Sequence, residues 1–490
     1  MNYVTPEEKG LDSKYILQYI QRLEEKGLST HNVILMRGDD IIFEKYWEPF
    51  HRDDLHRMYS VTKSFVALAI GFLEQDGLVQ LDDPISKYFP KELEHQQDEN
   101  MRNQTIRHML MMSTAKSIRI WFDEKPKDRV QFYFENDKTE SRPSGTIYQY
   151  DSEGSFVLGA LVERLTGMTL VEYLREKLFD KIGVSQEAYC LTCPGGYSWG
   201  DSALICKPTD LLKVARFVLN KGKWNGEQIL NEAFVTAATS KQIDNSMLGI
   251  NDYRSQGYGY LIWRTYQDSF SFNGMGCQFA ICVPHKDLIL IYNGDNQGYD
   301  VARYYIFDYF FDIIVNNMQD EKVEPNVIEQ SRLEEYCKGL KLNTAVGERH
   351  SEWVEKINGV SYRVDENAMG ITKIRLTFHG DRGFLEYTNE QGDKKLAFGM
   401  NENVYGLFPQ EGYSNQVGSV ATQGFFLKCA ASAAWLEPHK LYIKVQVIDT
   451  YFGKLNIFLS YQEDKVGIHM NKAAEDFLNE YTGYAVGWRE

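Results

Sequence analysis

The sequence predicts an α+β chain in which a mixed antiparallel sheet, flanked by helices and carrying an inserted helical region, is followed by a smaller all-β, barrel-like domain. Three observations carry that expectation. Strand patterns stand at both ends of the first 320 residues, helical apolar stripes fill the stretch between them, and beyond residue 350 strand patterns and turns dominate. The expected division is 1–320 for the first domain, 321–349 for a charged linker with one short helix, and 350–490 for the β-rich domain. At 490 residues and 43% apolar, the chain is long enough to bury two cores.

In chain order, VILMRGDDIIFEKY at 33–46 reads as two short strands across a Gly-Asp-Asp turn. Phe65, Leu68, Ala69 and Phe72 then fall at i, i+3, i+4 and i+7, a helical stripe over 61–76 that stops at Gly77. Further helices are expected near 105–112, at 156–165 where Leu158, Leu161, Val162 and Leu165 repeat that spacing, near 171–179 and near 209–219. Residues 113–147, rich in charge and aromatics with little periodicity, are expected to form a loop over a pocket. Strands are expected at Tyr258–Trp263, Gln278–Val283 and Leu288–Tyr292, with a long helix near 299–317 closing the domain. Beyond 350, ITKIRLTF, GFLEY, KLYIKVQVI and KLNIFLSY alternate with Gly, Asp and Asn turns, as in a small barrel, and a short helix is expected near 471–480.

Composition narrows the function classes. With 53 Lys and Arg against 69 Asp and Glu the formal charge is -16, which repels phosphate backbones and anionic headgroups, so neither nucleic acid nor a membrane is expected as a partner. The opening MNYVTPEEKG lacks a basic region ahead of an apolar run, so a cytoplasmic protein is expected. The longest clean apolar stretch, Phe65–Leu73, is about half of the ~20 residues a bilayer crossing needs. Seven cysteines, an odd number, fit reduced thiols better than a disulfide framework. Cys190 and Cys193 form one C-x-x-C with no nearby His or second pair to complete four zinc ligands. There is also no HExxH, no GxxxxGK[ST] and no dinucleotide fingerprint, so neither a metal nor a cofactor is expected.

The chemistry-bearing pattern is Ser60-Val61-Thr62-Lys63 at the head of the first helix. A serine hydroxyl needs a base within hydrogen-bond reach, and a lysine three residues on stands one turn above it on the same helix face. The helix N-terminus adds free N–H groups and partial positive charge where an oxyanion would form. The spacing alone is weak, since Ser113-Thr114-Ala115-Lys116 satisfies it too; but Ser113 follows the apolar run MLMM and reads as a helix end, where carbonyls rather than N–H groups are free. A second competitor, Gly196-Tyr197-Ser198-Trp199-Gly200, matches the G-x-S-x-G nucleophile elbow, which needs a strand before it and a helix directly after it. Here the next helix starts only around Thr209, and His285, a candidate partner, reads as a solvated turn residue.

Taken together, His56-Arg57-Met58-Tyr59-Ser60-Val61-Thr62-Lys63-Ser64-Phe65, Tyr150-Asp151-Ser152, GLVQLDDPISKYFP at 77–90, TIRHMLMMS at 105–113 and YGYLIW at 258–263 give a chain that resembles the serine β-lactamase and penicillin-binding-protein superfamily. The likeness is to the class C branch, with its esterases, DD-peptidases and 6-aminohexanoate-dimer hydrolases, and covers roughly residues 5–315. The resemblance implies a β-lactamase/transpeptidase-like fold in which Ser60 attacks a carbonyl, Lys63 and Tyr150 share the proton transfers, and Ser152 supports them. It places the third family element at Phe272-Asn273-Gly274, so that these residues line the substrate site and the Met275 N–H joins that of Ser60 as oxyanion donor, or Gly274 does so if the register slips by one. Phe272 stands where the family often has a cation for a substrate carboxylate, which shifts the expectation to a neutral or differently presented ester, amide or short peptide. The implied function is a cofactor-free serine hydrolase working through an acyl-enzyme and not serving as a physiological β-lactamase. The alternative is a catalytically silent, penicillin-binding-like protein that uses the same pocket for a ligand, although a binding module has no need for a serine paired with a base. The β-rich domain is expected to shield or shape the pocket or to mediate self-association into a homo-oligomer.

Overall fold

Hairpins from the two ends of the first domain meet to make its sheet. The computed structural model describes residues 2–116, 126–135, 140–249, 252–413 and 424–490. It contains β1 (Asn2–Tyr3), β2 (Thr30–Arg37), β3 (Asp40–Tyr46), β4 (Trp263–Thr265), β5 (Ser269–Gly274), β6 (Gln278–Val283) and β7 (Leu288–Gly294), in the order β1-β3-β2-β7-β6-β5-β4. Neighbours are antiparallel except β1 and β3, and the two ends of the domain join where Ile34 faces Ile291 and Leu35 faces Leu290.

The helices that matter for the site are α1 (Ser13–Glu25), α2 (Thr62–Gln75), α3 (Arg129–Glu135), α4 (Ser152–Thr166), α5 (Pro208–Leu219), α6 (Ala302–Tyr309) and α7 (Val327–Cys337). Strands β6 and β7 are buried along their whole length, the pattern of strands covered on both faces. On one face Ile16, Tyr19, Ile20 and Leu23 of α1 share a core with Phe279, Leu290, Phe307 and Phe310. On the other face α5 packs, with the Cys282 thiol 4.0 Å from the Ala215 carbonyl. Residues Thr62 to Leu73 of α2 are buried on every side, as expected of a helix that is apolar all round and packs against α4.

Several elements depart from the sequence expectation. The strand expected at Tyr258–Trp263 is reduced to β4, because Leu261 takes φ 53° and its backbone serves other partners. Its N–H donates to the Leu110 carbonyl, and its carbonyl accepts the Ser64 hydroxyl. The expected 113–147 loop contains helix α3, while 117–125 and 136–139 lie outside the described residues. The helix expected near 471–480 is instead the end of a strand at Ala474 followed by a tight turn at Asn479–Tyr481. The ladder that pairs 453–462 with 465–474 overrides the local helical preference of Ala and Glu.

The chain divides into two units, one holding Met1–Asn296 and Val301–Lys341, the other Gln297–Asp300, Leu342–Asn415 and Ser419–Glu490. Helix α7, in the stretch expected as a linker, packs on α1 and places Leu333 and Cys337 in the first unit's core. The second unit is a closed barrel of β8 (Ser361–Val364), β9 (Lys373–His379), β10 (Arg382–Asn389), β11 (Gly392–Met400), β13 (Lys428–Glu437), β14 (Lys440–Ile448), β15 (Phe452–Gln462), β16 (Lys465–Ala474) and β17 (Gly483–Arg489), with β12 (Val404–Leu407) added to β13. Eight antiparallel pairings run round the ring, and a short parallel pairing, Gly399 to Ser432 and Met400 to Ala433, closes it. Alternate residues such as Leu441, Ile443 and Val445, or Leu455, Ile457 and Leu459, fill the barrel core. Among the described residues no single helix is long and apolar enough to cross a membrane.

Candidate active site

Ser60 lies in a single tight turn, Tyr59–Val61, that runs straight into α2. Tyr59 enters that turn at φ 47°, a left-handed conformation that a bulky residue adopts only when its surroundings impose it. Those surroundings are visible. The Tyr59 carbonyl accepts the Thr62 hydroxyl at 2.6 Å, the Thr62 hydroxyl oxygen accepts the Leu204 N–H at 3.0 Å, and the Arg57 guanidinium lies 4.3 Å from the Tyr59 ring centre. The Met58 N–H donates in turn to the Leu204 carbonyl at 2.9 Å. The turn that holds Ser60 is thus tied on both sides to Leu204, the first residue of a short strand, Leu204–Cys206.

Lys63 is 1% exposed, and its Nζ reaches the Ser60 Oγ at 2.9 Å. The same nitrogen donates to the Asp201 carbonyl at 2.6 Å and sits 5.1 Å from the centre of the Tyr150 ring. Ser60, Lys63 and Tyr150 therefore converge although the tyrosine comes from a different segment. That segment is held beside residues 112–115 by N–H donation from Arg142 to Ala115, Gly145 to Ser113 and Gln149 to Met112. Tyr150 then stacks on Trp263 at 5.7 Å, within an aromatic cluster that also contains Tyr148 and Tyr258. Asp151 occupies the position just before α4, and Ser152 is the helix's first residue, half-buried, with its carbonyl accepting the Ser155 hydroxyl.

Asp151 is fully enclosed. Burial pushes its carboxyl up to about 6, offset by the Thr114 hydroxyl and by the backbone N–H groups of Gly154 and Glu153. Glu153, two residues on, is raised by burial and pulled back by Arg129, whose guanidinium bonds both of its oxygens at 2.7 and 2.9 Å.

The end of β5, where the third family element was expected, comes close to the turn that holds Ser60 through a glycine. A Cβ on Gly274 would fall 2.5 Å from the Met58 carbonyl oxygen, so only glycine allows the end of β5 to lie this close to the turn before Ser60. Met275 follows in the β5–β6 turn and is exposed. Phe272 is 0% exposed, packed on the sheet near Phe270, and offers no surface to a substrate in this arrangement. Asn273 points the other way in the strand, and both polar atoms of its carboxamide are buried without a hydrogen-bond partner among the described residues.

The competing serines are placed differently. The Ser113 hydroxyl donates to the His108 carbonyl at 3.0 Å, and Lys116 pairs with Asp98 at 3.5 Å, so that S-x-x-K closes a helix end. Ser198 is 4% exposed, its N–H bonded to the Glu163 carboxylate, and the next helix begins ten residues later at Pro208, while His285 is exposed on a remote turn. Among the described residues no three His, Cys, Asp or Glu side chains group as a metal site would need. Asp201 and Arg129 were not singled out by the sequence; the only signal for Asp201 was its place beside the G-x-S-x-G string, and Arg129 had none.

These features define a β-lactamase/transpeptidase-like fold with a serine–lysine pair at the head of a buried helix. The chain belongs to the Beta-lactamase family, whose model matches residues 17–309. It is 26% identical over 233 residues to the 6-aminohexanoate-dimer hydrolase of Paenarthrobacter ureafaciens, an alignment covering 44% of this chain and 58% of that one. It is 26% identical over 175 residues to the lovastatin esterase of Penicillium rubens, covering 31% of this chain and 44% of the esterase. The chain thus spans only about half the length of these relatives. The octameric penicillin-binding protein homologue from Pyrococcus abyssi shares the fold across both units, with a TM-score of 0.50 at 15% identity, covering 96% of this chain and 99% of that one.

Proposed function

We propose that the protein is a metal-free serine hydrolase that cleaves an ester or amide through an acyl-enzyme on Ser60. The observation that carries this reading is the 2.9 Å contact between Lys63 Nζ and Ser60 Oγ, with Tyr150 beside the same nitrogen. Lys63 Nζ, in hydrogen-bond reach of the hydroxyl, takes its proton as the Ser60 oxygen bonds to the substrate carbonyl carbon. The N–H groups of Ser60 and Met275 receive the oxyanion that develops. Lys63 and Tyr150 pass the proton to the departing alcohol or amine as its bond to carbon breaks. Water then attacks the acyl-enzyme, giving up its proton through the same pair, and Ser60 regains its hydroxyl.

Ser152, Asn273 and Gly274 are assigned to the substrate side of the site, and Phe272 to the core behind it. With Phe272 turned into the core, the expected third element presents no cation to a penicillin-type carboxylate, which supports an ester or amide substrate over a β-lactam. The names of two relatives, one an amide-dimer hydrolase and one an esterase, fit both bond types. Seven cysteines, all free thiols, support a reducing, cytoplasmic setting.

The test is a panel of p-nitrophenyl acetate and butyrate, D-amino-acid amides, 6-aminohexanoate dimer and nitrocefin on wild type beside Ser60→Ala. A stoichiometric burst of p-nitrophenol that disappears in Ser60→Ala is expected, with nitrocefin the weakest substrate. Turnover that survives in Ser60→Ala contradicts the reading, and absence of any burst favours a ligand-binding protein.

A further inference from the structure

Arg129 is 0% exposed and bonds two buried carboxylates at once. Its Nε and one terminal nitrogen reach Glu153 at 2.7 and 2.9 Å, and its two terminal nitrogens reach Asp201 at 2.7 and 3.1 Å. The guanidinium also lies 4.2 Å from the centre of the Phe156 ring and 3.3 Å from the Cys193 sulfur, while the Arg129 N–H donates to the Pro194 carbonyl at 3.2 Å. Both carboxylates belong to residues that place catalytic groups. Glu153 lies in the first turn of α4, three residues after Tyr150. Asp201 supplies the carbonyl that takes the second bond of Lys63 at 2.6 Å.

We infer that Arg129 is a positioning residue, a rigid two-sided clasp that fixes the Tyr150 segment and the Lys63 anchor relative to each other. The inference rests on the reading of Ser60 as the nucleophile. The geometry requires arginine: a planar fork satisfies two carboxylates in one plane, which an ammonium at the end of a flexible stem does not. Asp201 alone would leave its peptide carbonyl free to turn. With its carboxylate held on one side of the backbone, the carbonyl stays aimed at Lys63 Nζ. Phe156, from the same helix as Glu153, presses the guanidinium into that plane. The arrangement also explains why two carboxylates are tolerated in a buried site beside the catalytic groups, since one cation bonds both.

The experiment measures presteady-state p-nitrophenol release from p-nitrophenyl acetate in wild type, Arg129→Lys, the triple variant R129M/E153Q/D201N and Ser60→Ala. Arg129→Met alone would strand two carboxylates and risk misfolding, so the triple variant removes the charges together. Burst amplitude counts correctly folded sites, and the burst rate constant reports how well each is aligned. The expected result for the triple variant is a full amplitude with the acylation rate constant lowered about 10- to 100-fold and KM little changed. Arg129→Lys is expected to recover only part of the loss. Full amplitude at the wild-type rate overturns the inference, as does a loss of amplitude with an unchanged rate constant, which is what a merely structural clasp would give. A wild-type burst that persists in Ser60→Ala overturns the reading of the nucleophile itself, a failure distinct from the other two.

Discussion

Lys63 is held by two bonds of different sequence range, and the difference explains what could be read in advance. Its bond to Ser60 spans three residues and follows from helix geometry, so the pair was legible from spacing. Its bond to Asp201 spans 138 residues, and the Arg129–Asp201 pairing spans 72, from a segment with no periodicity to mark it. Nothing local to Asp201 or Arg129 distinguishes them from a surface charge. Tyr150 was legible only through its resemblance to a family element, since its stacking on Trp263 joins residues far apart in sequence. Asp151 gives a test at this scale. Its folded carboxyl titrates near 6, above the ordinary 3.8. Between these values the unfolded chain has released a proton that the native protein still holds, so this group's contribution to stability falls as pH rises, by about 3 kcal/mol in all. Asp151→Asn cannot ionise, so the melting temperature of the variant relative to wild type should climb from pH 4 to pH 6 and level off above. A difference that stays constant across that range contradicts the assignment.

Among the elements, strands written as continuous apolar runs and helices with complete apolar stripes formed where the pattern placed them, as β6, β7, α2 and α5 do. Tyr258–Trp263 did not become a full strand, because its aromatic and aliphatic sequence is consistent with a ladder while the left-handed Leu261 gives its backbone bonds to Leu110 and Ser64. The segment near 471–480 failed in the opposite way, its helical composition being overridden by pairing with β15. The end of β5 carries the next prediction. Since a Cβ at Gly274 would meet the Met58 carbonyl at 2.5 Å, Gly274→Ala must push β5 away from the turn that holds Ser60. Acylation by p-nitrophenyl acetate should slow about 10- to 100-fold while the circular dichroism spectrum is retained. A wild-type rate would mean that the strand end plays no part in forming the site.

At the scale of the whole molecule, the second unit closes its own sheet and fills it with its own side chains, from Leu376 and Phe398 to Trp435 and Ile457. Residues 342–490 expressed alone should therefore unfold cooperatively in denaturant. Trp435→Ala, which empties a site only 1% exposed beside Phe378, should cost that unit about 3–5 kcal/mol. A non-cooperative isolated barrel would show that its core depends on the first unit. The alternation of the barrel strands was plain in the sequence, but the two-residue parallel pairing of β11 with β13 that closes the ring was not, because it joins short, small-residue stretches with no pattern of their own. The first unit, by contrast, draws its sheet from both ends of its chain, and that closure is what brings β5 to the turn before Ser60. Treating the full chain with a fluorophosphonate and mapping the adduct by mass spectrometry tests Ser60 most directly. A single stoichiometric adduct on Ser60 is expected, absent in Ser60→Ala and unchanged in Ser198→Ala; an adduct on Ser198 or Ser113, or labelling that survives in Ser60→Ala, would overturn the assignment of Ser60.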